Sequence, residues 1–168
     1  MGLLKSNVDS DLYFKVVENQ PLILVLYVGD LFFGEEQHIA WCKREPALEF
    51  EMKDVGFMHY FLGLEVWQRP GEIILAQGKY IVDNLKRFGM MECKSMSTPM
   101  ISNLKKLHDS NFGSKLVDPT MYRKLIGSLM YVIHTRLDVR FVVSALSQFM
   151  AEPMHRHWVE AKHILRYL

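Results

Sequence analysis

The chain has 168 residues, 49% of them hydrophobic and 12% aromatic, which is enough to build a core and excludes wholesale disorder. No apolar run is long enough to span a bilayer, and the two cysteines, Cys42 and Cys93, lack the usual zinc spacings and fit a reducing compartment, cytoplasmic or nuclear. Residues 1–50 carry four Lys/Arg against eight Asp/Glu (−4) and residues 51–168 sixteen against eleven (+5), a mild asymmetry that suits cation-holding carboxylates early and phosphate contacts late.

Ser10 to Val17 has strand propensity and is followed by a Glu18-Asn19-Gln20-Pro21 turn. Leu22 to Val28 is an uninterrupted apolar run rich in Leu, Ile and Val; it reads as a strand buried on both faces, paired with the first as a hairpin. A Gly29-Asp30 pair ends that run, and Leu31-Phe32-Phe33 begins the next strand at once. A tight turn therefore carries the Asp30 carboxylate out of the core. Such a group is either a turn former or a metal ligand, and turn chemistry alone selects Gly-Asp pairs. Glu35 to Met52 reads as a helix with two acids in its first turn, where the macrodipole favours them. Pro46 removes a donor and clashes with the Cys42 carbonyl, at about 3 kcal/mol, so a kink or break is expected near Glu45.

His59 to Gln68 alternates, with Tyr60, Leu62, Leu64 and Val66 on one face and Phe61, Gly63, Glu65 and Trp67 on the other. Arg69-Pro70-Gly71-Glu72 is a turn signal, and Ile73 to Ala76 is the return strand. Residues 1–76 are thus expected to form one antiparallel sheet with a helix against it. Gln77 to Phe88 is a basic amphipathic helix stopped by Gly89. From Lys94 to Thr120 the composition turns to Ser, Pro, Asn, Asp and Gly, which reads as a long loop or linker and a lobe boundary. Helical spacing then returns in Tyr122, Leu125, Ile126, Leu129, Met130 and Ile133, in Val142, Leu146, Phe149 and Met150, and in Trp158, Ala161, Leu165 and Leu168. Asp118-Pro119 opens this region and Glu152-Pro153 breaks it. His155 and His157 are two apart and point to different sides of a helix, and with His163 they suit structural or surface roles better than a metal site.

Several of these stretches form ordered motifs: Tyr27-Val28-Gly29-Asp30, Tyr60-Phe-Leu-Gly-Leu-Glu-Val66, Gln77-x-Lys79-Tyr80-Ile81, Thr98-Pro99, Tyr122-Arg-x-Leu-Ile-Gly-Ser-Leu-Met-Tyr131, Thr135-Arg136-x-Asp138, and His157-Trp158 through Leu168. In content and order they resemble the reverse transcriptases of copia-type retrotransposons, over nearly the whole chain. Gly2 to Tyr13 resembles an internal segment of that family, so the N-myristoylation pattern at Met1-Gly2 is set aside and the start is expected to be internal to a longer polyprotein. The resemblance implies an α+β fold: a partial polymerase palm with primer-grip hairpin and following helix over 1–93, a linker over 94–119, and a helical thumb-like or connection-like lobe over 120–168.

The family's chemistry is in-line displacement at an α-phosphate by a primer 3′ hydroxyl, with two divalent ions, usually Mg²⁺, held by aspartates. The resemblance assigns the first aspartate of the turn pair to Gly29 and leaves Asp30 as the remnant ligand, with an upstream aspartate expected to be absent. It implies a primer-grip-like segment at Phe61, Leu62, Gly63, Leu64 and Glu65. The candidate nucleic-acid contacts are Lys79, Lys86, Arg87, Arg123 and Lys124, with an RNA or DNA primer–template duplex as partner and neither membrane nor small-molecule cofactor. The chain is therefore expected to be a reverse transcriptase fragment without activity, the alternatives being a non-catalytic nucleic-acid-binding module or a structural remnant.

Overall fold

A computed structural model of the protein describes residues 2–34, 43–44, 51–100, 107 and 115–168. The chain divides into two compact units, Met1–Phe57 and Met58–Leu168. The fold is α+β, with two antiparallel sheets and four α-helices among the described residues. No described helix is long and apolar enough to cross a membrane.

The first unit is a four-stranded meander of β1 (Leu4–Lys5), β2 (Leu12–Val17), β3 (Gln20–Tyr27) and β4 (Asp30–Phe33). Glu18 and Asn19 both take positive φ between paired Val17 and Gln20, the two-residue turn whose twist suits a hairpin. Pro21 follows inside β3. Its register, one rung from the turn, aims the missing N–H away from β2, and β4 does not reach that far, its rungs beginning at Leu24. The apolar run of β3 is not buried on both faces as expected. Leu22 and Leu24 are buried, whereas the alternate Ile23 is 41% exposed. An antiparallel meander covers one face, and the seven apolar letters concealed that alternation. Lys43 and Arg44 are helical and Lys43 pairs with Asp54 at 2.7 Å, while Glu51 and Met52 lie outside any helix. The rest of the expected 35–52 helix, with its Pro46 kink, falls outside the described residues.

The second unit opens with a separate three-stranded sheet: β5 (Tyr60–Phe61), β6 (Leu64–Arg69) and β7 (Glu72–Ala76). Two expectations change here. Residues 1–76 make two sheets rather than one, and His59 to Gln68 is not a single strand. Leu62 and Gly63 take φ of 50° and 82°, a tight turn that reverses the chain between paired Phe61 and Leu64. The glycine inside an alternating run was the signal for that reversal.

Helix α1 (Gly78–Arg87) ends at Gly89, φ 64°, with the Gly89 N–H donating to Lys86 O (3.1 Å) and the Met90 N–H to Leu85 O (2.7 Å). This double closure satisfies two carbonyls left over at the helix end and buries Met90. Helix α2 (Pro119–Val132) starts with proline at its first position and the Asp118 carboxylate accepting from the Thr120 N–H at 2.8 Å. A 3₁₀ turn (Leu137–Val139) leads to α3 (Arg140–Ser147), and α4 (His155–Tyr167) follows the Glu152-Pro153 break.

The core joins Tyr122, Leu125, Ile126 and Leu129 of α2 to Val142, Val143 and Leu146 of α3 and Ala161, Ile164 and Leu165 of α4. Met130, expected on that face, is instead exposed. Lys94 to Thr98 is not a free loop. The Met96 N–H donates to Arg166 O (2.9 Å), the Arg166 side chain to Lys94 O (2.8 Å), and Thr98 O meets His163 Nε2 at 2.7 Å. These residues form a strap along α4.

Candidate nucleic-acid interface

Asp30 is the first residue of β4, opposite Tyr27 across a turn made by Val28 and Gly29. Its side chain is exposed, and the Gly29 N–H closes on Tyr27 O at 2.7 Å. Val28 has φ 56° and Gly29 φ 149°, so this turn puts a β-branched residue in left-handed backbone and a glycine where L-residues rarely go. No group of three His, Cys, Asp or Glu side chains that could hold a metal occurs among the described residues. One exposed carboxylate is a poor match to a pair of hard cations, which require several oxygen ligands each. The described side chains therefore do not fit a two-ion centre.

The primer-grip-like residues lie in the second unit and are woven into it. Gly63 packs on the Tyr131 ring: a Cβ there would meet the Tyr131 hydroxyl oxygen at 2.9 Å, and that hydroxyl donates to the Leu62 carbonyl. Tyr80 presents its ring edge-on to Tyr131 with centroids 4.7 Å apart. The Glu65 carboxylate accepts from the Gly78 N–H at 3.1 Å, serving from a strand the N-terminus of α1, which has no side-chain cap of its own. Phe61 and Leu64 form the rung that closes the turn.

Gln77 ties the same region from beneath. Its buried side chain donates to Tyr131 O at 3.1 Å and accepts from the Thr135 hydroxyl at 2.7 Å. Arg136 makes a two-point pair with Asp138 (3.0 and 2.7 Å), lies over the Tyr167 ring, and the Tyr167 hydroxyl donates to the same carboxylate at 2.7 Å. The Arg136 guanidinium, helped by that hydroxyl, brings the Asp138 pKa down to about 2. Five motifs separate in sequence thus meet through hydrogen bonds. Sequence reasoning had given Tyr131, Gln77 and Asp138 no role. Their polar type within apolar helical or turn contexts was the available signal, but the partners lie 54 and 29 residues away.

The five candidate cations do not act alike. Arg87 on α1 and Lys124 on α2 line one cleft of about 390 Å³, with Tyr80, Gly127 and Ser128 as its other walls. Nothing lies within 4 Å of a Cβ added at Gly127, so that wall is open to an incoming group. Among the described residues neither cation is tied to a carboxylate. Lys79 instead lies 5.4 Å over the Tyr60 ring, Lys86 is 3.8 Å from Asp83, and Arg123 donates to Met150 O at 3.1 Å. The structure brings together two of the five.

The buried histidines are structural. His157 Nδ1 accepts from the Met154 N–H (3.1 Å), which places the proton on Nε2 facing Leu107 O (3.0 Å), and the ring stacks on Phe149 at 3.8 Å. With that tautomer the 3.3 Å approach of Arg156 Nε to His157 Nε2 is a contact between two donors, not a hydrogen bond. His163 meets the strap at Thr98, and His155 is exposed.

Comparison with known proteins agrees with the family resemblance that the motifs carry. Residues 1–102 match the reverse transcriptase (RNA-dependent DNA polymerase) family. The chain is 35% identical over its whole length to the retrovirus-related Pol polyprotein from transposon RE2 of Arabidopsis thaliana. It is 36% identical, again over its whole length, to that from transposon RE1 of the same plant. A third relative, the Pol polyprotein from transposon TNT 1-94 of Nicotiana tabacum, is 36% identical over 98% of the chain. The chain spans 12–13% of the length of these relatives. No solved structure matches. The chain belongs to the reverse transcriptase family, among those of copia-type retrotransposon Pol polyproteins.

Proposed function

We propose that this chain is a nucleic-acid-engaging portion of a copia-type reverse transcriptase and that it does not polymerise by itself. Reverse transcriptases act on nucleic-acid template–primers with divalent metal ions. The observation that carries the binding half is the cleft in which Arg87 and Lys124 converge beside the Tyr80 ring. Two cations on separate helices facing one open groove suit the phosphate backbone of an RNA or DNA primer–template, with Lys79, Lys86 and Arg123 adding field along neighbouring surface. In this reading residues 1–93 supply the palm and primer-grip hairpin, 94–119 the linker and 120–168 the thumb-like lobe. The cleft draws on both sides of that linker.

The inactive half rests on Gly29. A glycine stands where the family resemblance assigns the first metal-binding aspartate, so Mg²⁺ finds only the exposed Asp30 at the turn. The backbone adds a second obstacle. At φ 149° an aspartate is strained, so Gly29→Asp must rearrange the turn before its carboxylate can serve.

Primer extension run beside a duplex titration tests both halves. The wild-type chain and Gly29→Asp are expected to give no template-directed incorporation with Mg²⁺ or Mn²⁺. Duplex affinity is expected to fall with salt and to change little with sequence. Incorporation that follows the template overturns the inactive reading, and absence of duplex binding at low salt leaves a structural remnant.

A further inference from the structure

We infer that Tyr131 is a positioning residue that makes the Leu62–Gly63 turn a rigid extension of the Arg87–Lys124 cleft, so that a duplex held in the cleft is presented to the hairpin in one fixed register. The inference rests on the binding reading above. Its observations are independent of it.

Tyr131 lies one residue before the end of α2, the helix that carries Lys124 and Gly127. Three contacts tie it to the turn and the cleft, beside an edge contact with the His134 ring. Its hydroxyl donates to the Leu62 carbonyl at the turn, its ring meets the edge of Tyr80, which walls the cleft, and its own carbonyl accepts from the buried Gln77 side chain. Gly63 completes the fit, because any Cβ there would press on the phenol oxygen. The two sides of this latch are unequal. The Tyr80 and Gln77 contacts belong to the helices and persist without the hydroxyl. The turn is held to them by the hydroxyl and the glycine.

Removing only the oxygen therefore separates two properties. In Tyr131→Phe the ring still packs on Tyr80, and the Leu62 carbonyl, on a residue more than half exposed, turns to water. Arg87 and Lys124 are untouched, so duplex affinity and its salt dependence stay within about threefold of wild type. Glu65 still serves the Gly78 N–H and keeps the base of the hairpin on α1, but the Leu62–Gly63 turn, no longer latched, moves independently of the bound duplex.

Amide hydrogen exchange with and without a primer–template duplex reads this directly. In the wild type, duplex is expected to slow exchange both along α1 and α2 and at Phe61–Glu65. In Tyr131→Phe the slowing is expected to persist along the helices and disappear at Phe61–Glu65, while unchanged slow exchange at Ala161–Leu165 shows that the fold is intact. Because the readout is the ratio of bound to free rates, simple loosening of the hairpin does not imitate it. Duplex-dependent slowing at Phe61–Glu65 that survives in Tyr131→Phe overturns the inference while leaving the binding reading in place. Absence of duplex binding by the wild type overturns both.

Discussion

The turns Val28–Gly29 and Leu62–Gly63 are alike in chemistry and opposite in surroundings. Each is a bulky apolar residue followed by glycine, both at positive φ, reversing the chain between paired strand residues. Around Gly29 there is nothing within 4 Å of an added Cβ, and the neighbouring Asp30 carboxylate is exposed. Around Gly63 the Tyr131 ring leaves no room, and the turn carbonyl is held by its hydroxyl. The first turn is specified by local backbone alone, so a change at Gly29 meets backbone strain but no packing partner. The second is part of a packed assembly, so the same kind of change is felt by two helices.

The largest effect that sharpens this contrast is expected where α2 is anchored. Leu125→Ala removes a fully buried side chain and should lower stability by about 2–5 kcal/mol, read as a drop in the denaturation midpoint. Next come the two glycines. Gly63→Ala combines left-handed strain with overlap against Tyr131 and should cost about 2–4 kcal/mol, against about 1–2 for Gly29→Ala, where strain acts alone. Equal losses in paired urea titrations would break the comparison.

Gln77→Ala removes a buried side chain bonded to Tyr131 O and Thr135 and should cost about 1–3 kcal/mol. The smallest effect concerns pH. The Asp138 carboxyl has a folded pKa near 2, below its ordinary 3.8, so its contribution is present above about pH 4 and is lost as pH falls toward 2. Because the pair with Arg136 is partly exposed, the change should stay under about 1 kcal/mol. Comparing acid unfolding of wild type and Asp138→Asn checks it: the variant should lack that part of the pH slope.

Local grammar was legible in the residues. Asp118-Pro119 announced the start of α2, Gly89 the end of α1, and the 3.6-residue spacing of Tyr122, Leu125, Ile126 and Leu129 the core face. What escaped was whatever depends on distant partners. Nothing near Leu62 shows that Tyr131 will meet it, 69 residues on, and an apolar run such as Leu22 to Val28 does not say which of its faces will be covered. Among the cations, charge and spacing nominated five residues alike. Only the relative placement of α1 and α2 separated Arg87 and Lys124, which share a cleft, from Lys79, Lys86 and Arg123, which have intramolecular contacts.

The strap of Lys94 to Thr98 along α4 has a consequence for the order of events at the ribosome. Its partner Arg166 lies 72 residues downstream. At synthesis rates of roughly 5–20 residues per second, the strap waits about 4–14 s after its own translation before Arg166 has been made. Through that interval the carbonyls of Lys94 and Thr98 lack their final partners. The second unit is therefore completed from its far end backwards, with α4 closing over a segment made long before it. Nascent chains arrested before Arg166 should be cleaved by protease near residues 94–98, and chains released beyond it should resist.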